Sequence, residues 1–507
     1  MASRRDELNA YTFAKRRMLA SFVQSSPTGS EEGAPRPLRA VFPGVIVGVI
    51  ILAVFGGWGM FKPTAPKDWD ATGENVIIAS KSTTRYVVLV TDGKRQLHPV
   101  LNMASAKLLL DADQGKVINV DESILDKGAI PHGATIGIPY GPDRLPDASE
   151  ADAAKRWAVC ERPSDGGRAI QKAAFVLAER EANRTEGTER LRGGELLYVV
   201  GPDRTRYVVD AGGTAYQVSA ENELLLRTLV GSDREPQRVS REWLDTLHKG
   251  DQIVFPKVEG SPGADAGVQV TEDAEANKVG MVLEAPNGDT TQYYVVLPGR
   301  IAPVSAFTAT LLLNSRDLVS LDQASEARKV SAGAFTPGEE FGAEHNWPTA
   351  EPKAVNDAAA TSGGRNTVCN VLRAVDPDKG TTTLSTWAGT DFPATLATGS
   401  SSAYVTPGSG QLYRQFQGSE TEAGAVFLVT DTGLRYALQS NSDSATDDAG
   451  IGTSAEKRKQ LLEEARQAQT RLGYKEADPA PIPVSWSAFL PTGPRLSTSA
   501  ARQPQGS

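Results

Sequence analysis

Residues 86–101 read Tyr86-VVLVTDGKRQLHPV-Leu101. Tyr, Val and Leu favour strands, and Asp92-Gly93 marks a tight turn between two of them. The stretch predicts a hairpin. The same phrase recurs as Arg206-YVVDAGGTAYQV-Ser219, Tyr293-YVVLPGRIAPV-Ser305 and Ala425-VFLVTDTGLRYAL-Gln439, with turns at Gly212-Gly213, Pro298-Gly299 and Thr432-Gly433. A lone hairpin is marginal in water, so each copy needs a helix or a second sheet over its apolar face.

The residues that follow supply that helix. A polar cap precedes a run carrying three leucines: Asn102 before Leu108 to Leu110, Ser219 before Leu224 to Leu226, and Ser305 before Leu311 to Leu313. In the fourth copy a Ser/Asp/Gly-rich insert intervenes. A helix is then expected from Thr453, with Thr453 and Glu456 at capping-box spacing, Leu461, Ala465, Ala468 and Leu472 as the apolar stripe, and Gly473 as the stop. A third phrase begins with Val120, Val239, Val330 and Val484, and each is followed by a proline-terminated phrase ending at Pro139, Pro256, Pro348 and Pro491. Repeated phrases in fixed order indicate structural repetition, and their spacing is too long and irregular for a common solenoid or propeller. Gly-, Ala- and Asp-rich stretches at 257–277 and 349–366 read as loops or inserts.

Upstream of the first copy, residues 40–61 carry no charged side chain. A helix of that length spans roughly 33 Å, enough for a bilayer core of about 30 Å. Arg39 and Lys62 bracket the run, and Trp58 stands near its far end as an interfacial aromatic. Residues 1–39 hold seven bases and four acids, so the positive-inside rule puts them in the cytoplasm and the bulk of the chain outside. A cleaved signal peptide would have a shorter apolar part and a small-residue cleavage site; an uncleaved single-pass anchor in the cytoplasmic membrane is the expectation.

The chain carries −9 in all, which leaves about −12 beyond the basic N-terminus. That balance argues against nucleic acid as a partner. Cys160 and Cys369 are the two cysteines, each in a strand-like context on the side that permits disulfides, so a structural bond between them is expected. It would join the segment after the first module to the segment after the third, which suggests a central piece with modules around it. Before the anchor, Leu8, Tyr11, Phe13, Leu19 and Phe22 alternate with Arg16 and Arg17 in a basic amphipathic helix. That arm either adsorbs to the inner leaflet of the lipid bilayer or docks on another membrane protein.

No chemistry announces itself. The Gly-x-x-x-x-Gly-Lys-[Ser/Thr] cradle for phosphates is absent, as are Gly-x-Ser-x-Gly and Cys-x-x-Cys, and His98, His132, His248 and His345 stand singly. The Gly-rich phrases from Gly363 and Gly399 lack the lysine and read as loops. No catalytic, cofactor or metal-binding residue is assigned.

The arm Tyr11-TFAKRRM-Leu19, the single span, Gly137-IPYGPDRLP-Asp147, the two cysteines, Leu428-VTDTGLRYAL-Gln439 and Ser485-WSAFLPTGPRLS-Ser497 together resemble EccB, the B component of the membrane core of type VII (ESX) secretion systems. The resemblance runs over nearly the full length and is loosest between residues 257 and 425. It implies a scaffold whose partners are the C motor ATPase and the D and E membrane subunits, with self-association through the outer part. The family is sometimes labelled ATPase, and no motif here carries that label. A different binding ectodomain, for cell wall or ligand, and a weak ATP-hydrolysing ectodomain are the alternatives. The fold class expected is α+β: a single transmembrane helix plus an elongated extracytoplasmic part of four repeat modules around a central β domain. The boundaries expected are 1–39 for the arm and connector, 40–61 for the span, 62–125, 195–275, 276–335 and 401–507 for the modules, and 126–194 and 336–400 for the joining segments that carry Cys160 and Cys369.

Overall fold

The computed structural model describes residues 3–23, 37–61, 65–164, 169–270, 274–331, 333–358, 364–396, 402–438 and 455–505. They form two units. One holds residues 1–67 with 119–129, and the other holds 68–118 with 130–507. The first contains the helices Arg4–Val23 and Pro37–Phe61 and a one-turn helix Glu122–Leu125. The long apolar helix starts three residues before the uncharged run, at Pro37, whose missing N–H is no loss in a first helical turn.

In the second unit each hairpin has become part of a larger sheet, four-stranded in the first, third and fourth copies and six-stranded in the second, where His248–Lys249 adds outside Thr214–Val218. In the first copy, strands Arg85–Thr91 and Lys94–Val100 pair antiparallel, and Asn75–Ala79 pairs antiparallel with Arg85–Thr91. The helix Met103–Leu109 follows, and Lys116–Val120 completes the sheet beside Asn75–Ala79. Glu195–Val200, Arg206–Val209 and Thr214–Val218 repeat that order, as do Val282–Asn287, Thr290–Leu297 and Arg300–Val304, and Gly410–Phe416, Val426–Thr430 and Arg435–Ala437. In these three the helix is Glu223–Val230, Ala306–Leu313 and Ala455–Leu472. A short strand then lies parallel to the first one, namely Gln237–Arg238, Arg328–Lys329 and Ala480–Pro483. A crossover through a helix is what a parallel return requires.

The proline-terminated phrases close each sheet. Ile136 bridges Val100, Ile253 bridges Val218 and Leu496 bridges Leu438, all in parallel. In the third sheet the N–H groups of Gly338 and Phe341 donate to the carbonyls of Ile301 and Pro303. The returning chain therefore runs along the outer edge of the third strand and covers N–H and C=O groups that would otherwise be an open edge.

The caps hold with one correction. Asn102 accepts from the Ser105 N–H and Ser305 from the Thr308 N–H. The second helix is capped by Asn222, which accepts from the Leu225 N–H, and not by Ser219. The two residues have similar capping strength, and the longer turn after Val218 places Asn222 at the helix start. Thr453 lies outside the described residues; Ala465, Ala468 and Leu472 are buried as one stripe, and Gly473 ends the helix with φ 95°. The stretch 257–277 is more than a loop: Ala266, Val270 and Ala276 are buried under the third sheet. Within 349–366, Lys353–Ala354 pairs with the edge of the second sheet, and the Asn356 side chain receives the Tyr198 N–H at 2.7 Å and donates to its carbonyl at 2.9 Å. The Gly399 phrase also departs from a plain loop, because Ala403–Val405 is an edge strand parallel to Ile170–Leu177.

The fifth sheet is central. Its order is Thr382–Gly389, Thr367–Val375, Arg156–Pro163, Ile170–Leu177, Ala403–Val405. One face, with Trp157, Val159, Val176 and Val368, shares a core with Trp243 beside the second sheet and with Tyr413, Phe427 and Trp486 of the fourth. The other face holds Phe175, Cys160, Cys369 and Trp387. The helix of the first sheet shares a separate core with the long helix of the fourth, through Leu108, Leu109, Ala465, Ala468 and Leu472. The second and third sheets share another, where Leu225 and Leu229 meet Phe307 and Leu311.

Candidate functional site

Among the described residues no constellation of reacting groups stands out, so the candidate site is the set of features that anchor and join this chain. The arm forms a helix over Arg4–Val23. Its side chains Leu8, Tyr11, Phe13, Leu19 and Phe22 are 67%, 69%, 62%, 54% and 91% exposed, and Arg16 and Arg17 are exposed with them. At 100° per residue, Leu8, Tyr11, Leu19 and Phe22 fall on one stripe, Lys15 interrupts it, and Phe13 stands on the far side. The amphipathic character is weaker than the composition implies.

The span Val41–Trp58 is long and apolar enough to cross a membrane, and none of it is buried by the chain. Trp58 is exposed. Arg39 lies in this helix with its side chain outside the described residues, and Lys62 lies outside them altogether.

Cys160 and Cys369 occupy directly opposed positions on adjacent antiparallel strands and are disulfide-bonded. Their separation is 209 residues, and the chain between them builds the second and third sheets. The bond clips the base of that excursion inside the central sheet. No hydrophobic or charge signal places two cysteines in register; the pairing followed from their number and compartment alone.

Around the central sheet, polar side chains perform joining tasks. Glu186 lies against three guanidinium groups, Arg373, Arg190 at 2.8 Å and Arg156 at 3.6 Å. Burial pushes its carboxyl up, but hydrogen bonds from Arg373 and Arg190 outweigh that and hold it below the ordinary carboxylate range. Glu161, fully buried, accepts from the Ser240 N–H at 2.7 Å and from its hydroxyl. In the fourth sheet the Ser487 hydroxyl is a hub. It accepts from Gln415 Nε2 at 2.7 Å and from Arg435 Nη1 at 2.9 Å, and it lies 2.7 Å from the Tyr413 hydroxyl. With both lone pairs engaged, its proton goes to the Tyr413 oxygen. Burial pushes the Tyr413 phenol up to about 12, so it stays protonated.

The histidines serve separate purposes. His98 is buried, its ring nitrogens 2.9 Å from Thr91 Oγ1 and from the Ala134 carbonyl. His132 meets Tyr86 edge-on, His248 contacts Thr382, and His345 stacks on Trp347. Among the described residues no group of His, Cys, Asp and Glu could hold a metal ion.

A short exposed helix, one membrane-length helix and a disulfide-clipped set of small sheets define a single-pass membrane-anchored assembly protein. Comparison makes the class specific. The family "Type VII secretion system ESX-1, transport TM domain B" matches residues 1–506, and the chain belongs to it. Among its relatives is the "ESX-3 secretion system ATPase EccB3" of Mycobacterium tuberculosis, 27% identical over 494 residues, 92% of this chain and 83% of that one. The protein of the same description in Mycolicibacterium smegmatis is 27% identical over 505 residues, 91% of this chain and 83% of that one. Among solved structures, a chain of an intact ESX-5 inner membrane complex matches with TM-score 0.55 at 19% identity, covering 100% of this chain and 96% of that one. An EccB3 dimer from the ESX-3 core complex matches with TM-score 0.53 at 20% identity, covering 84% and 99%.

Proposed function

We propose that this chain is a structural scaffold of a type VII secretion complex in the inner membrane, joined to the other subunits by its arm and span and to further copies of itself by its outer part. The observation that carries the reading is the match of the family over residues 1–506, arm and span included. The relatives' settings, an ESX-5 inner membrane complex and an EccB3 dimer, support the two kinds of contact. The arm supports the first, because its aromatic and leucine side chains are exposed. The C motor ATPase and the D and E subunits are the partners the family implies. The domain plan proposed is residues 1–39 inside, 40–61 spanning, four modules at 62–125, 195–275, 276–335 and 401–507, and joining segments at 126–194 and 336–400, with the end of the second stretch, at Ala266 and Val270, packing under the third sheet. Those segments supply most of the central sheet and, through Ile136 and Gly338, two of the edge-covering returns.

The test is affinity isolation of the full-length chain from detergent-solubilised membranes. Wild type should bring a large complex with it, and removal of residues 1–24 should release it from that complex. Unchanged co-isolation after the deletion would overturn arm-mediated assembly. The relatives' label of ATPase is tested separately on the purified full chain, which should show no ATP turnover above a contaminant-free background. Hydrolysis abolished by a single point substitution would favour the enzymatic alternative.

A further inference from the structure

Residues 492–505 read Thr492-GPRLSTSAARQP-Gln505. Their first half belongs to the fourth sheet, where Thr492 bridges Arg435 and Leu496 bridges Leu438 in parallel. Ser497 then starts a one-turn helix, Thr498–Ala501, by accepting from the Ala500 N–H at 3.1 Å. Beyond that turn the chain lies on the first sheet. Pro504 bridges Ile136 antiparallel, the Gln505 N–H donates to the Thr135 carbonyl at 2.8 Å, and Gln505 Nε2 donates to the Gly137 carbonyl at 2.9 Å. Ile136 is already paired with Val100. This strap therefore covers the outer edge of the return that itself closes the first sheet. Leu496 and Ala501 are fully buried, in the core that also holds Leu108, Leu109 and Leu110.

The two helices of that core trade cations. Lys107 Nζ donates to the Leu472 carbonyl at 3.2 Å, at the end of the long helix Ala455–Leu472. Arg471 Nη1 donates to the Leu110 carbonyl, at the end of the short helix Met103–Leu109. The last carbonyls of a helix lack partners within it, and a cation there is favourable. Each helix thus closes the other's C-terminus. In the pair formed by the second and third sheets, Ala306–Leu313 carries no basic residue in its last turn, so such an exchange cannot be mutual. The Tyr474 hydroxyl adds a bond to the Pro146 carbonyl at 2.8 Å. A helix of seven residues takes its stability from what packs on it. Here much of that packing comes from far along the chain.

We propose that residues 455–505 are a completion latch: the first sheet and its helix stay loose until the long helix and the strap close on them, with Lys107 and Arg471 making that closure specific. Lys107 and Leu472 are 365 residues apart, and Gly137 and Gln505 are 368 apart. With the N-terminus inside, the first sheet crosses the membrane well ahead of the residues that finish it. Its surface is set only when the rest of the outer part has been delivered. The latch goes beyond the scaffold role and does not depend on it, because it is a property of one chain.

The experiment uses the full-length chain in detergent, read by native-state hydrogen exchange. Ala501→Glu, which puts a carboxylate into the shared core, should speed exchange at least tenfold over Arg85–Thr91, Lys94–Val100 and Met103–Leu109 while the second and third sheets stay within twofold of wild type. Arg471→Met keeps the aliphatic stem and loses the donor; it should speed the same amides at least threefold, and it decides the matter if Ala501→Glu does not fold. On refolding from denaturant with the disulfide intact, pulsed exchange should show the first sheet gaining protection together with Ala455–Leu472. First-sheet exchange within twofold of wild type in Arg471→Met overturns the latch. Loosening shared equally by all four sheets also overturns it, because the strap would then be part of one global unit. First-sheet protection gained ahead of the long helix overturns the order of closure, and the latch with it.

Discussion

Glu161 and Arg435 are both buried charges, and the chain treats them differently. Glu161 is fully buried, and burial pushes its carboxyl up against the opposing hydrogen bonds from Ser240. From the ordinary carboxylate range up to the raised value, the native state binds more protons than the unfolded one. Its contribution therefore favours folding at low pH and fades as pH rises through that window. Glu186, held below the ordinary range, acts in the opposite sense, and its support is lost on acidification. Urea midpoints of wild type and Glu161→Gln between pH 4 and 7 should show the wild type losing ground to the variant as pH rises; parallel profiles would contradict the assignment. Arg435 has 9% exposure and is met by Ser487 and Thr492 hydroxyls and by the Phe427 ring, 5.2 Å from its guanidinium carbon. The planar fork serves three groups at once, which a lysine cannot do. Arg435→Lys should cost about 1–3 kcal/mol in denaturant unfolding; a loss under about 0.5 kcal/mol would show the hub to be dispensable. Neither role was legible in the sequence. Glu161 and Arg435 read as two charges among many, because the partners that bury them are distant along the chain.

At the scale of elements, the hairpins were legible and their sheets were only half so. Turn residues such as Asp92-Gly93 and Thr432-Gly433 stand between β-rich runs, and Gly93 and Gly433 take the positive φ that such turns need, 71° and 78°. The first strands, such as Gly410–Phe416, share no obvious phrase, and the parallel returns can be two residues long, as at Gln237–Arg238. Elements that short carry no periodicity to read. The disulfide is the other event at this scale. Converting Cys160 and Cys369 together to Ser should lower stability by several kcal/mol, about 3–5, because the link closes a loop of some two hundred residues in the unfolded chain. Chemical unfolding with and without reductant measures it, and equal midpoints would show the clip to be inert.

At the scale of the molecule, the sheets pack in pairs that sequence order does not announce. The first and fourth share one core although they are furthest apart along the chain, and the second and third share another. Phe307, fully buried and 6.3 Å from Trp347, stands in the second of these cores. Phe307→Ala should destabilise by about 3–5 kcal/mol. Because the core belongs to both sheets, both should loosen together in hydrogen exchange. Loss of protection confined to the third sheet would show that the two fold separately.

What the sequence determined by itself is local or compositional: hairpins from strand formers around turn glycines, caps from Asn102 and Ser305, a span from an uncharged run, and a bond from two cysteines in an oxidising compartment. Each depends on residues close together or on a count. What only the tertiary structure decided is which faces meet: the partner of each sheet, the two-residue returns, and the burial of Glu161 and Arg435. Apolar faces of similar composition can pair in many ways, and only the three-dimensional fit of side chains selects one.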